Sequence, residues 1–146
     1  MVFAKGDKKG QAVTAADLAD VGTLIETWPM DPASSTVRSK SRLNRVLLLR
    51  LDPGSLDPAT TKRAAEGIVA YSDFCTHAGC FIENYRPEEK VIFCHCHSSM
   101  FDPTASAKVV GGPAKQPLAG LPVKIADGKL VVAGEFEGKV GAPKPT

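Results

Sequence analysis

Short apolar runs separated by turn residues dominate the pattern along this 146-residue chain. Runs of about four to eight residues in which apolar positions alternate or cluster are typical of β-strands. The run at 44–51 is almost continuously apolar, which predicts a strand buried on both faces. The predicted strands lie at 23–28, 44–51, 68–72, 81–84 and 91–93.

Turn chemistry identifies one hairpin. Pro122–Ala126 and Leu130–Ala133 are joined through Asp127-Gly128, a dipeptide that favours a type I′ turn. The short strands, together with 13 Gly and 11 Pro, predict an all-β fold, an antiparallel sandwich or small barrel.

Helix signals are few. Asp57-Pro58 provides a cap followed by proline at the first helical position, which predicts a short helix over 56–65. Pro29 is expected to end the strand at 23–28, and 32–41 is expected to be a loop.

Length and composition describe one soluble globular domain. We expect the domain at 13–137, with polar, flexible segments at 1–12 and 138–146. The chain has 18 basic and 16 acidic residues, so the composition gives no support for nucleic-acid binding. The basic stretches at 38–45 and 62–63 are interpreted as solvated loop charge.

No apolar run is long enough to span a membrane, because the densest, Val46–Leu49, is stopped by Arg50. The first residues also lack the apolar stretch of a signal peptide. Either the chain is soluble by nature, or a targeting and anchoring segment lies outside this sequence.

Every cysteine and every histidine of the chain falls between residues 75 and 97. Two mixed pairs stand out, Cys75-x-His77 and Cys94-x-x-His97, and each can present one thiolate and one imidazole from a tight loop. Two sulfur and two nitrogen ligands can hold a structural zinc ion or a 2Fe–2S cluster.

The distribution of ligand types favours the cluster without excluding zinc. Zinc fingers more often place like ligands in each half, whereas each half here contains one Cys and one His. A cluster with both thiolates on one iron and both imidazoles on the other suits two mixed loops. His95 is interpreted as a surface loop residue and not as a ligand.

The segment C-T-H-A-G-C, followed after 13 residues by C-H-C-H-S-S-M-F, resembles the two cluster-binding boxes of the Rieske iron–sulfur proteins. The stretch 111–117 resembles the proline-rich loop that covers the cluster in that family, and 121–136 resembles its closing strands. The likeness extends over about 66–137.

This resemblance implies one Rieske-type 2Fe–2S cluster per chain. The implied ligands are Cys75 and Cys94 on the inner iron, with His77 and His97 on the outer iron near solvent. The implied fold is an antiparallel β sandwich or barrel base with a small inserted cluster-binding subdomain at about 73–119.

Further residues are assigned by the same resemblance. A disulfide between Cys80 and Cys96 is implied, as in the subunits of quinol–cytochrome c reductases. The hydroxyl of Ser99 would donate to a bridging sulfide, and Phe101 stands where high-potential members have Tyr. The other cofactor-contacting residues expected are Gly112 and Pro113 of the covering loop.

The implied function is one-electron transfer by the soluble head of a quinol–cytochrome c reductase subunit, which is not a catalyst on its own. His77 and His97 would contact quinol and a cytochrome c-type haem, and an imidazole would accept the quinol proton. Partners would be cytochrome b and cytochrome c-type subunits or another redox subunit. The head would lie at the extracytoplasmic, periplasmic face, tethered by an anchor absent from this sequence.

Two alternatives stay open. One is the small Rieske subunit of an arsenite-oxidase-type molybdenum enzyme, because Ala78 stands where Leu is common beside the quinol contact. The other is a zinc-stabilised binding module without a redox role. Besides Ala78 and Phe101, the departures from the usual quinol-oxidising pattern are His95 in place of Pro and Ser98 in place of Gly.

Overall fold

The computed structural model describes residues 2–5, 12–31, 36–37, 45–73, 82, 84–86, 88–94, 98–112, 114, 117–134 and 136–137. The strands in these ranges are β1 (Val2–Lys5), β2 (Leu24–Asp31), β3 (Thr36–Val37), β4 (Val46–Arg50), β5 (Ile68–Ser72), β6 (Asn84–Arg86), β7 (Val91–Cys94), β8 (Ser99–Asp102), β9 (Lys108–Gly111), β10 (Val123–Ala126) and β11 (Lys129–Val132). The helical elements are two 3₁₀ turns, Ala15–Leu18 and Pro53–Ser55, and the helix α1 (Pro58–Arg63). Within these residues, no helix has the length and apolar character needed to cross a bilayer.

The strands form two antiparallel sheets in the described part of the chain. The larger has the order β10-β11-β1-β2-β4-β5, with β3 paired to β2. It curls back on itself, because the segment leading into β10 also pairs with β5: Leu121 N donates to Ala70 O at 2.9 Å. The smaller sheet has the order β6-β7-β8-β9 and carries the second ligand box. The all-β prediction is confirmed.

The strand β4 is buried on both faces, as its apolar run predicts. Leu47 and Leu49 belong to an apolar cluster shared with the small sheet, whereas Val46 and Leu48 face the interior of the curled sheet. All four are fully buried. Because side chains alternate along a strand, β4 separates two cores and contributes to each of them.

Two local predictions also hold. Asp127 and Gly128 have φ values of 52° and 76°, the pair of positive values that a type I′ turn requires. Helix α1 begins after Asp57, whose carboxylate accepts a hydrogen bond from Thr60 N at 2.8 Å. Both predictions depend on residues close in sequence.

The prediction that Pro29 ends a strand is wrong. β2 continues to Asp31, and Pro29 lies opposite Phe3 of β1. The carbonyl of Phe3 accepts from Val13, so this pair points its backbone groups away from each other. The nitrogen of Pro29 therefore faces the interval between the end of β3 and the start of β4, where the missing N–H leaves no ladder bond unmade.

Four other expectations differ from the structure. Val2–Lys5 forms β1 inside the large sheet, although a flexible start was expected at 1–12. Thr36–Val37 forms β3 within the expected loop at 32–41. The strand expected at 81–84 begins instead at Asn84, and β8 and β9 were not predicted. The expected tail at 138–146 lies outside the described residues.

Candidate metal centre

The second ligand box is built on the β7–β8 hairpin. Cys94 ends β7 and lies opposite Ser99, the first residue of β8. Ser98 N donates to Cys94 O at 2.9 Å and closes the turn between them. Cys94 is 1% exposed, so its sulfur is presented from a rigid, water-excluded position. His97, which precedes Ser98 in the sequence, lies outside the described residues.

Ser98 adopts a left-handed conformation, with a φ of 63°. A non-glycine residue in this region costs about 1–2 kcal/mol. The usual family pattern has Gly at this position. The close return of the chain from Cys94 to Ser99 supplies the physical reason for that preference.

The loop after β9 packs directly against this hairpin. Ala114 N donates to the hydroxyl of Ser99 at 3.2 Å, and Ser99 is fully buried. Gly112 has a φ of 77°, and a Cβ at this position would lie 2.4 Å from Ser98 O and 2.5 Å from Ser99 Cα. The backbone at Gly112 therefore lies in close contact with Ser98 and Ser99, and a side chain at Gly112 would not fit. Pro113 lies outside the described residues.

Phe101 is fully buried and belongs to the apolar cluster that also contains Cys94, Tyr71 and Ala114. It lies opposite Ile92, next to a register shift between β8 and β9. The metal centre thus has an apolar floor on the side of the base sheet. Burial in such surroundings removes water from the thiolate side of the site.

The first ligand box leaves the base at the end of β5. Asp73 O accepts from Ile82 N at 3.0 Å, which closes a loop over 74–81 at its neck. Cys75, His77 and Cys80 lie within this loop, and they are outside the described residues, as is Cys96 of the second box. The structure thus describes the neck of the first box and the hairpin base of the second.

Asp73 itself is anchored to the end of β4. Its N–H donates to Arg45 O at 2.9 Å, and Arg45 Nε lies 3.0 Å from Asp73 Oδ2. The Arg45 guanidinium also pairs with Glu26 and lies 5.9 Å from the centre of the Trp28 ring. Burial raises the pKa of Asp73, the neighbouring Glu26 carboxylate raises it further, and Arg45 opposes both.

Sequence reasoning missed this network. The basic stretches at 38–45 and 62–63 were interpreted as solvated, but the Arg45 and Arg63 side chains are only 19% and 15% exposed. Arg63 pairs with Glu137 at 3.2 Å and donates to Ser106 at 2.6 Å. For Arg45, the one available signal in the sequence is its position immediately before the apolar run Val46–Leu49.

A hydrogen bond connects the two sheets beneath the site. Tyr71 of β5 donates its hydroxyl proton to Pro103 O, after β8, at 2.7 Å. Burial raises the pKa of Tyr71 to about 12. Tyr71 therefore stays protonated and keeps this bond across the physiological pH range.

The described residues fit a sulfur-ligated, anionic group. A buried thiol lies opposite a buried hydroxyl, and the Ser99 hydroxyl accepts one bond while no described residue accepts its proton. A hydroxyl has one proton to donate, and a sulfide or thiolate sulfur can accept it. Among the described residues alone, no three His, Cys, Asp or Glu side chains converge on a metal position.

The sequence model of the Rieske 2Fe–2S domain matches residues 36–139. A cytochrome bc1 complex Rieske iron–sulfur subunit of Streptomyces lividans is 41% identical over 125 residues, covering 83% of this chain and 74% of that protein. A Rieske subunit of Haloferax mediterranei, named for a respiratory nitrate reductase, is 43% identical over 86 residues, covering 58% of this chain and 38% of that protein. A cytochrome bc1 complex Rieske subunit of Mycobacterium tuberculosis is 33% identical over 139 residues, covering 84% of this chain and 32% of that protein.

The chain thus spans about a third of the length of two of these relatives and about three quarters of the third. Among solved structures, the cyanobacterial plasma membrane Rieske protein from Synechocystis aligns with a TM-score of 0.55 at 22% identity. That alignment covers 92% of this chain and the whole of the other, which supports the overall fold.

Proposed function

Since the chain belongs to the Rieske 2Fe–2S family, we propose that it is the one-electron carrier of a quinol-oxidising respiratory complex and passes electrons from quinol to a cytochrome c-type haem. Its cofactor is a Rieske-type 2Fe–2S cluster. The family match over 36–139 overturns the zinc-module alternative. The observation that carries the proposal is the bc1 subunit relative, 41% identical over 83% of this chain.

The proposed ligands are the thiolates of Cys75 and Cys94 and the imidazoles of His77 and His97. When bound, the cluster supplies a site that takes up and releases one electron. Cys94 holds its sulfur away from water at the end of β7. The Ser99 hydroxyl is proposed to donate its proton to a sulfur of the cluster, and Gly112 lies in close contact with Ser98 and Ser99.

We assign the exchange of electrons with partners to the loop tips. Cys94, Ser99 and Phe101 are buried under the loop and the base sheet, so a partner has no access from their side. The imidazoles of His77 and His97 remain the predicted contacts with quinol and with the haem-bearing subunit. The proposed partners are cytochrome b and a cytochrome c-type subunit.

A disulfide between Cys80 and Cys96 is proposed to join the two ligand loops. Such a bond persists in oxidising compartments, so the proposed disulfide supports a location of this domain on the extracytoplasmic side of the membrane. Thiol labelling of the denatured, unreduced holoprotein tests this assignment. Two labelled cysteines are expected, and four would contradict it.

A second candidate is electron transfer to another respiratory enzyme. The Haloferax relative, named for a respiratory nitrate reductase, has 43% identity over 86 residues. Rieske domains similar to this one thus occur under the name of a complex other than bc1. The arsenite-oxidase-type alternative stays a prediction.

The experiment that tests the proposal uses membranes containing the assembled protein. Quinol-dependent reduction of cytochrome c and quinol-dependent reduction of nitrate are measured for wild type, His97→Ala and His95→Ala. His97→Ala is expected to lose the Rieske electron paramagnetic resonance signal and cytochrome c reduction, whereas the adjacent His95→Ala keeps both. Nitrate reduction that requires His97, with cytochrome c reduction unaffected, would favour the second candidate.

A further inference from the structure

Among the described residues, Asp73 is the last before the segment that carries the first ligand box. Asp73 O accepts from Ile82 N at 3.0 Å and closes the neck of the loop. Cys75 follows Asp73 by two positions and His77 by four. A change in the orientation of Asp73 therefore moves both proposed ligands with it.

Arg45 holds Asp73 in two ways. The main chains are joined by the bond from Asp73 N to Arg45 O at 2.9 Å. The side chains are joined by the ion pair between Arg45 Nε and Asp73 Oδ2 at 3.0 Å. Since Val46 is the partner of Ser72, Arg45 and Asp73 lie opposite each other as the next pair of the β4–β5 ladder. Two separate contacts at one residue restrict both its position and its rotation.

Arg45 is in turn held by β2. Its guanidinium pairs with the Glu26 carboxylate and lies over Trp28, 5.9 Å from the ring centre. Glu26 and Trp28 are two residues apart on one strand, so their side chains share a face. The guanidinium therefore bridges two carboxylates and an aromatic ring across three neighbouring strands. A planar fork suits this bridge, and a lysine ammonium does not reproduce it.

The side chains of this network are largely buried, which bears on what the network contributes. The Asp73 side chain is fully buried, and those of Arg45 and Glu26 are 19% and 23% exposed. Buried ion pairs often contribute little net stability. Their best-attested use is to specify one arrangement over others. Here the specified arrangement is the exit of the ligand loop from the sheet.

We propose that Arg45 is a positioning residue for the metal centre: by holding Asp73 it orients the neck of the loop that carries Cys75 and His77. This inference rests on the proposed ligand set and is independent of the identity of the redox partner. Arg45 acts through Asp73.

The test compares the reduced electron paramagnetic resonance spectrum and the lifetime of the cluster in intact holoprotein. Arg45→Ala is expected to broaden the spectrum, because the loop samples several orientations, and to lose the cluster several-fold faster than wild type. Arg45→Lys is expected to give a spectral width and a cluster lifetime between those of wild type and Arg45→Ala, since it keeps a cation beside Asp73 without the planar fork that also reaches Glu26.

Arg63→Ala is the matched control. Arg63 is also largely buried and also forms an ion pair, with Glu137, but its hydrogen-bond and ion-pair partners, Glu137 and Ser106, do not include Asp73. Its removal should lower the unfolding temperature while the spectrum stays sharp. Equal broadening in Arg63→Ala, or a wild-type spectrum and lifetime in Arg45→Ala, would overturn the proposal.

The remaining outcomes also support or overturn the proposal. If Arg45→Ala yields no cluster-bearing protein, a wild-type spectrum and lifetime in Arg45→Lys overturn the proposal, and broadening with faster loss supports it. Absence of a Rieske spectrum in wild type would refute the proposed function itself. That outcome is visible before any variant is compared.

Discussion

Replacing Gly112 by Ala tests the close contact between the covering loop and the β7–β8 hairpin. A Cβ at this position would lie 2.4 Å from Ser98 O and 2.5 Å from Ser99 Cα, far inside van der Waals contact. Both are backbone atoms at the start of a paired strand, so they cannot move aside as a flexible side chain would. The covering loop must move instead, and the hydrogen bond from Ala114 N to Ser99 would be lost.

The cost has a built-in reference in Gly128. Its φ of 76° nearly equals the 77° of Gly112, but a Cβ there would meet no atom within 4 Å. Gly128→Ala therefore measures the left-handed strain alone, about 1–2 kcal/mol. Gly112→Ala adds overpacking and a lost hydrogen bond, together about 2–3 kcal/mol more. At about 3 °C per kcal/mol for a domain of this size, the two variants should differ by about 6–9 °C in unfolding temperature.

The assay is thermal unfolding of both holoproteins at one scan rate, followed by circular dichroism, together with bleaching of the visible cluster absorbance below the transition. Gly112→Ala should unfold at the lower temperature and bleach faster, because the uncovered site admits water. Gly128→Ala should bleach at the wild-type rate. Equal unfolding temperatures and equal bleaching rates in the two variants would refute the close-contact argument.

Three further predictions concern single side chains. Ser98→Gly should raise the unfolding temperature by a few degrees, since it removes about 0.5–1 kcal/mol of left-handed strain net of chain entropy; a decrease would contradict this reasoning. In protein-film voltammetry, Phe101→Tyr should raise the reduction potential by tens of millivolts, and Ser99→Ala should lower it. A hydrogen bond to a charged acceptor contributes about 1.5–3 kcal/mol, of which only a fraction differs between redox states, and about 59 mV corresponds to 1.4 kcal/mol for one electron. An unchanged or lower potential in Phe101→Tyr would refute the argument for that variant. Tyr71→Phe should cost about 1–2 kcal/mol at pH 7 through the lost bond to Pro103. Because the pKa of Tyr71 rises from 10 in the unfolded chain to about 12 in the folded protein, the unfolding free energy of the wild type should fall by about 1.4 kcal/mol per pH unit above pH 10. The difference in unfolding free energy between wild type and variant should therefore narrow there. A constant difference between pH 8 and pH 11 would contradict this prediction.

Local signals account for the elements that the sequence predicts well. Val46–Arg50 is strongly apolar, and Asp127-Gly128 specifies its own turn, so neither depends on distant partners. The strand β1 has no such signal. Its four residues precede a polar stretch, and they become a strand because β2 and β11 lie on either side of them.

The site shows the same division. The proposed ligand set follows from residue types and spacing together with the resemblance to the Rieske family, and the expected cluster contact of Gly112 follows from that resemblance alone. The strand β8 is not predicted, because its residues overlap the ligand motif, and it forms through pairing with β7 and β9. Arg45 could not be identified, because its role depends on Glu26 and Asp73, which lie 19 residues before it and 28 after it. Buried polar networks between distant residues leave little trace in a local pattern.

The segment that bears the proposed ligands leaves and rejoins the base at neighbouring points beside the end of β5. It leaves the base at Asp73, and it returns at Ala119, whose carbonyl accepts from Ser72 N at 2.9 Å. For the base sheet, the whole inserted segment is therefore one loop whose two ends are held together by a backbone hydrogen bond. Lengthening such a loop costs little chain entropy, about 0.6 kcal/mol for each doubling. The base can thus tolerate large changes in the excursion, so the ligand-bearing segment of another family member could be grafted between these two residues without altering the order of the strands beneath.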